Sequence, residues 1–249
     1  VITGSPDIGG SRASMALMAA EELGIDVYSI TPVVADTEAV GFTDVTEGSR
    51  ATFATGKAVV EACRELKVEL CRRAAQTMGV DEAEVEWVDG AAVSPSHGGE
   101  PLTLAAITAQ AKRTGGPLTA TASLNAAGAG PSFAVHCADL KVDEETGQTA
   151  IVRYTAVQDA GTAIHPSYVE GQMQGGSVQG IGWALNEEYL YNADGVLENP
   201  GFLDYRIPVA SDLPFIDAVI VEVPNPLHPF GVKGVGEVPI VPPMPAIAE

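Results

Sequence analysis

Basic residues are scarce in this 249-residue sequence: 13 Lys and Arg stand against 33 Asp and Glu, a formal net charge of -20. A field of that sign repels phosphate backbones and anionic lipid surfaces, so nucleic acid and membrane surfaces are excluded as expected partners. No run of about 18 apolar residues occurs, so no membrane-spanning helix is expected. No basic segment followed by an apolar one opens the chain, and no signal peptide is read there. There are three cysteines, Cys63, Cys71 and Cys137. They cannot all pair within the chain and none forms a C-x-x-C, so neither a zinc knuckle nor an iron–sulfur cluster is encoded. A reducing compartment follows as the expectation, and the cytoplasm with it. The histidines His97, His136, His165 and His228 are scattered without ligand spacing, and no Gly-x-Ser-x-Gly elbow is present. A protein-ligated metal and a hydrolase triad therefore lack support.

What is present is a globular composition, 46% apolar and 18% charged, with 27 Gly and 17 Pro that imply many turns. Periodicity predicts a strand at Val1–Thr3, a helix over about Ser11–Leu23 and a strand over Val27–Val34. A long helix is expected from about Ala51 to Met78, a short strand at Val85–Val88 and a helix over Leu102–Lys112. Beyond Asn125–Pro131 the period changes to two. Phe133–Val142 and Thr149–Ala156 read as a hairpin about Asp143–Gly147. A Gly-rich helix over about Ser167–Leu185, a second hairpin at Tyr189–Tyr191 and Val196–Glu198, and a strand at Ala218–Val223 follow, with Pro/Gly loop after Pro224. The expected class is α+β with mixed β-sheets: a helix-rich subdomain 1–130 and a strand-rich subdomain 131–249. Val1-Ile2-Thr3 reads as a strand already under way and Pro245–Glu249 as a helix just opening, which is what a piece of a longer polypeptide or a separately encoded subunit would show.

Three local patterns carry chemistry. Gly10-Ser11-Arg12-Ala13-Ser14 and Gly48-Ser49-Arg50-Ala51-Thr52 repeat one arrangement: a Gly turn, a hydroxyl, a guanidinium and a helix start. Helix N-termini present free N–H groups and favour anions; the plain alternative is capping, with Arg in solvent. Neither turn is a P-loop, since no Gly-Lys-Ser/Thr follows. The second pattern is Gly171–Gly182, where five glycines in a helix-length run imply close approach to the backbone, by a ligand or by packed neighbours. The third is Gly231–Pro239, where Glu237 stands among Gly, Val and Pro; apolar company suits a general base, and a solvated surface loop is the alternative.

Together, and in this order, Asp7-Ile8-Gly9-Gly10-Ser11-Arg12, Gly48-Ser49-Arg50, Gln158-Asp159-Ala160-Gly161 with Ala163–Pro166, Glu170-Gly171-Gln172 through Gly182, and Gly234-Val235-Gly236-Glu237 resemble the molybdenum-binding subunit of the xanthine dehydrogenase/aldehyde oxidase family, the molybdenum hydroxylases. The likeness runs over essentially the whole chain and corresponds to the C-terminal half of that subunit. It implies molybdopterin with molybdenum, as the cytosine dinucleotide in bacterial members. It implies cofactor contacts at Ile8, Gly9, Gly10, Ser11 and Arg12, at Glu47, Gly48, Ser49 and Arg50, and at Gln172, with Glu237 as the catalytic base. The implied reaction hydroxylates an aldehyde or an N-heterocyclic, purine-like small molecule with water-derived oxygen. Electrons would leave through iron–sulfur clusters and FAD on partner chains, and the N-terminal half of the subunit would complete the site. The sequence departs from the family's habit at Gly10-Ser11, where Gln-Gly is frequent, at His165, where Asn is frequent, and at Val238-Pro239, where Pro-Pro is frequent. A family member that binds the cofactor without hydroxylating, and an acidic non-catalytic interaction subunit, are the competing expectations.

Overall fold

A computed structural model describes every residue from Val1 to Glu249. The chain forms two units, one of Val1–Thr46 with Ala51–Ala127 and the other of Glu47–Arg50 with Gly128–Glu249. Sequence position assigned the turn Glu47–Arg50 to the first subdomain; its contacts group it with the second unit.

In the first unit β1 (Ile2–Thr3) pairs in parallel with β2 (Val33–Val34). The chain between them passes through a tight turn at Ile8–Gly10 into α1 (Ser11–Leu23). Gly9 and Gly10 there take φ of 59° and 74°, a left-handed backbone that glycine adopts without strain. α1 buries Met15, Ala16, Met18, Ala19 and Leu23, and Gly24, again left-handed, closes it by donating to the Ala20 and Glu21 carbonyls. The strand expected over Val27–Val34 reduces to β2. Asp26 accepts the Tyr28 N–H and winds Val27–Ser29 into a 3-10 turn, leaving Tyr28 94% exposed, so alternation there had no sheet to serve.

The long helix opens as a wider π-type turn, Ala51–Thr55, and continues as α2 (Gly56–Met78). Its Leu70, Ala74 and Ala75 pack with Val85, Ala92 and Ile107 in a core beside an antiparallel sheet of β3 (Glu86–Val88), β4 (Ala91–Val93) and β5 (Leu102–Thr103). β4 is an addition to the expected elements. Asp89 and Gly90, at φ 48° and 78°, make the two-residue turn that joins it to β3. The helix expected over Leu102–Lys112 is divided. Leu102 and Thr103 join the sheet, and the Thr103 hydroxyl accepts from Ala106 N to cap α3 (Leu104–Ala109). Gln110, at φ -91° and ψ 0°, interrupts before α4 (Ala111–Thr114).

In the second unit β6 (Ala134–Val142) and β7 (Thr149–Asp159) form the expected hairpin. Asp143 folds its turn by accepting from Glu145 and Thr146 N–H, and those bonds hold its carboxyl below the usual Asp range. β8 (Ile216–Val221) lies parallel to β7, which requires a crossover; α5 (Pro166–Leu185) supplies it and packs against β7 and β8. The core between them holds Tyr154, Ala156, Met173, Ile181 and Ile216. Inside it His136 Nδ1 and the Tyr154 hydroxyl share a 2.8 Å hydrogen bond, and burial pushes the imidazole down to about 4 and the phenol up. The second expected hairpin amounts to a single bridge, Tyr191 with Leu197, and the loop after Pro224 contains a 3-10 turn at Val238–Ile240 and the short α6 (Pro243–Ala248). Helices with parallel and antiparallel sheets make this an α+β fold.

Candidate functional site

The loop Gly231–Glu237 has no regular structure of its own and is fastened almost residue by residue. The Gly231 carbonyl accepts from Thr162 N and Asn225 N, and Val232 O accepts from Asn225 Nδ2. Lys233 Nζ pairs with Asp159 at 2.6 Å, Gly234 O accepts from the Ser132 hydroxyl at 3.0 Å, and Val235 O accepts from Gln158 Nε2 at 3.1 Å. The glycines permit this. Gly231 sits at φ 73°, and a Cβ on Gly234 would lie 3.0 Å from both Cβ and O of Ser49.

Glu237 ends the loop, and its contact is Ser49. The Ser49 hydroxyl accepts the Glu237 N–H at 2.8 Å and donates to Glu237 Oε2 at 3.1 Å. One hydroxyl thus holds the main chain and the carboxylate of the same residue. Gln172, on the first turns of α5, reaches the same place: its Oε1 is 3.0 Å from where a Cβ on Gly236 would stand, and Ser49 Oγ is 3.6 Å from that point. Of the residues singled out from sequence, Ser49, Gln172 and Glu237 therefore converge. Glu237 is exposed in this chain, the solvated-loop alternative rather than a carboxylate taken out of water by its Val and Pro neighbours.

The glycines of α5 divide into two kinds. Cβ atoms on Gly176 and Gly180 would stand 2.5 Å from Pro239 Cγ and 2.6 Å from Ile240 O, and one on Gly182 would strike Glu187 and Pro208; these three are required by packing. Gly171 and Gly175 are one helical turn apart and exposed, with nothing within 4 Å of an added Cβ. Gly48, at φ 61°, faces open space as well. Packing within the chain demands glycine at none of these three positions.

In the first unit, the turn Asp7–Arg12 already contains its own anion. Asp7 Oδ1 accepts the Arg12 N–H at 3.0 Å, and its Oδ2 lies 2.9 Å from Arg12 Nε. Ser11 is buried and its hydroxyl donates to Pro6 O at 3.4 Å, while Ile8, Gly9 and Arg12 are on the surface or partly so. Capping, rather than an open guanidinium, describes this helix start. Arg50 likewise has a partner, and Glu47 is exposed. Sequence reasoning quoted Gln158 and Asp159 without a role and passed over Ser132 and Lys233. The available signal was a Gln-Asp pair ending an alternating strand, where apolar residues ordinarily stand.

The sequence matches the molybdopterin cofactor-binding domain family over residues 1–214. It is 32% identical to the putative xanthine dehydrogenase molybdenum-binding subunit of Escherichia coli K12, across 99% of this chain and 34% of that one. It is also 32% identical to the 6-hydroxypseudooxynicotine dehydrogenase complex subunit gamma of Paenarthrobacter nicotinovorans, across 100% of this chain and 32% of that one. Among solved structures, Cu,Mo-CO dehydrogenase in its carbon monoxide reduced state superposes with a TM-score of 0.85 at 26% identity, over 98% of this chain and 32% of the other. Quinoline 2-oxidoreductase from Pseudomonas putida 86 gives 0.82 at 27%, over 97% and 32%. The chain belongs to the molybdopterin cofactor-binding domain family, in the group of molybdenum-binding subunits that includes those of xanthine dehydrogenase and CO dehydrogenase. It spans about a third of the length of these relatives.

Proposed function

We propose that this chain is part of the molybdopterin-binding catalytic subunit of an oxidoreductase that hydroxylates an aldehyde or N-heterocyclic small molecule with water-derived oxygen. The observation that carries the reading is the carboxylate of Glu237, held by Ser49 beside Gln172.

The residues present fit a molybdenum–pterin group. The uncovered backbone at Gly171 and Gly175, the open turn at Gly48 and the neutral amide of Gln172 suit a flat, polar, anionic molecule. We assign its contacts within the second unit to Gly48, Ser49 and Gln172. The bound group supplies two-electron redox chemistry.

This chain's own contribution is the proton acceptor. Ser49 occupies Oε2 of Glu237 with its O–H, which leaves Oε1 to take a proton from the attacking water-derived oxygen. The Glu237 N–H is tied to the same hydroxyl, so the residue's main chain and one carboxylate oxygen share one anchor. We assign the cytosine dinucleotide form, iron–sulfur and FAD partner chains, a remainder of the subunit about twice this chain's length and a cytoplasmic setting on the same reading. The test is Glu237→Gln in the assembled enzyme. The amide keeps the side chain's size and can still meet Ser49, so metal and pterin content should stay at the parent level. The substrate-driven reduction rate per molybdenum should fall by about 10² to 10⁴. An unchanged rate at equal metal content overturns the assignment.

A further inference from the structure

We infer that Gln158 and Asp159, the last two residues of β7, are positioning residues that set where the Glu237 carboxylate stands. The inference rests on the proposed role of Glu237 for its catalytic consequence, and on geometry alone for the hold itself.

Gln158 is 0% exposed, on the core face of β7 with Tyr154 and Ala156. Its Nε2 donates to Val235 O, and its Oε1 has no partner. An amide buried half-satisfied is a costly occupant of a core, and here its one bond fixes a carbonyl two residues before Glu237. Asp159 comes next in the strand and so points to the opposite face. Its Oδ2 pairs with Lys233, and its Oδ1 accepts from Gly161 N at 2.9 Å and Val223 N at 3.2 Å. Both side chains of the ion pair are 9% exposed. Burial pushes the Asp159 carboxyl up, but the Lys233 ammonium and the two N–H groups outweigh it and hold the group ionised, below the usual Asp value. The strand end thus grips one loop from both faces, four residues and two residues before Glu237.

The grip matters because the loop has glycine at 231, 234 and 236 and cannot hold a shape by itself. Its side-chain anchors decide where its last residue lies, and displacement of a reacting group by about 1 Å can cost 10²-fold in rate.

The experiment uses the holoenzyme carrying Gln158→Met, Asp159→Asn, or Asp159→Asn with Lys233→Met. Gln158→Met keeps length and removes the donor. Asp159→Asn keeps the acceptor for Gly161 and Val223 but strands the Lys233 charge, which the double variant removes. Amide hydrogen exchange is followed in a peptide covering 232–238, and reduction rate is measured per molybdenum. Gln158→Met should raise exchange in that peptide by about tenfold, leave β6, β7 and β8 protected, preserve metal content, and lower the limiting rate by about 10- to 100-fold with substrate affinity unchanged. Asp159→Asn should do the same, and adding Lys233→Met should restore part of the protection. Unchanged exchange at 232–238 in Gln158→Met overturns the inference. So does exchange that rises throughout the unit, and so does a parent rate despite a loosened loop in an enzyme where Glu237→Gln has lost rate. If Glu237→Gln keeps full rate while Gln158→Met loosens the loop, the catalytic reading of Glu237 fails and the hold stands.

Discussion

Two glycines of one helix should respond to alanine in opposite directions. Gly175 and Gly180 both lie inside α5, where Gly is about 0.8–1.0 kcal/mol less favourable than Ala on backbone entropy alone. At Gly175 the new methyl meets nothing within 4 Å, so the whole of that difference should appear as added stability, about 1 kcal/mol. At Gly180 the methyl would stand 2.6 Å from Ile240 O and 2.6 Å from Pro243 Cγ. A carbonyl and a proline ring cannot rotate aside, so Val238–Ile240 and α6 must shift. Overpacking of that kind costs about 1–3 kcal/mol, which exceeds the entropy gain. Urea denaturation of the two variants against the parent should therefore give midpoints on either side of it, corresponding to stabilities separated by about 1–3 kcal/mol. The functional half of the expectation runs the other way. If the open face of α5 is where the pterin lies, Gly175→Ala should retain less molybdenum in the assembled enzyme despite its greater stability. A destabilised Gly175→Ala chain would refute the claim that packing leaves this face open. A stabilised variant with full metal content would refute the claim that the ligand uses it.

The remaining expectations concern pH and the second turn. Burial holds the His136 imidazole at about 4, while an unfolded chain takes up that proton near pH 6.5, so the folded state loses stability as pH falls from 6.5 through 4. The loss should reach roughly 3 kcal/mol, and a denaturation midpoint that is flat over this range would exclude it. Gly48 has φ 61° and nothing within 4 Å of an added Cβ, so Gly48→Val should act mainly by straining the backbone, by about 1–2 kcal/mol; molybdopterin content of the purified enzyme should drop, and full content would remove this turn from the binding site.

Legibility in the sequence followed the reach of the interactions. The β6–β7 hairpin could be read because its turn is local: Asp143 and Gly147 close it within five residues, and both strands alternate. The β3–β4 hairpin carried an equally local Asp89-Gly90 signal, but strands of three residues are too short to show a period. At Leu102–Lys112 the apolar spacing was helical throughout, and the sheet claimed the first two residues because Ala91 and Ala92 offered a pairing edge. The same limit governs the site. Glu237, Ser49 and Gln172 were separable as motifs from residue type and order. The bond between Ser49 and Glu237 joins positions 188 apart and exists only in the folded chain. Gln158 was hidden for a related reason: its neighbours along the strand give no hint that a carbonyl of a distant loop needs a donor.

The charge balance constrains how such a chain could receive an anionic cofactor. With 33 acidic residues against 13 basic ones, long-range attraction is unavailable. The two guanidiniums placed beside the Gly-Ser turns do not supply it either, since Asp7 neutralises Arg12 and Arg50 is engaged. What is left is short-range: main-chain N–H groups at glycine turns, a hydroxyl and an uncharged amide, each oriented by folding before any ligand arrives. Donors of this kind need no counter-charge to be removed and lose little entropy on binding, and their strength depends on close approach. On the proposed reading, close approach is what glycine at 171 and 175 would serve, where neither packing nor a left-handed backbone asks for it. On the same reading, the tie of Glu237 to Ser49 at two atoms would keep its carboxylate in place beside an anion, whose repulsion would otherwise turn it away.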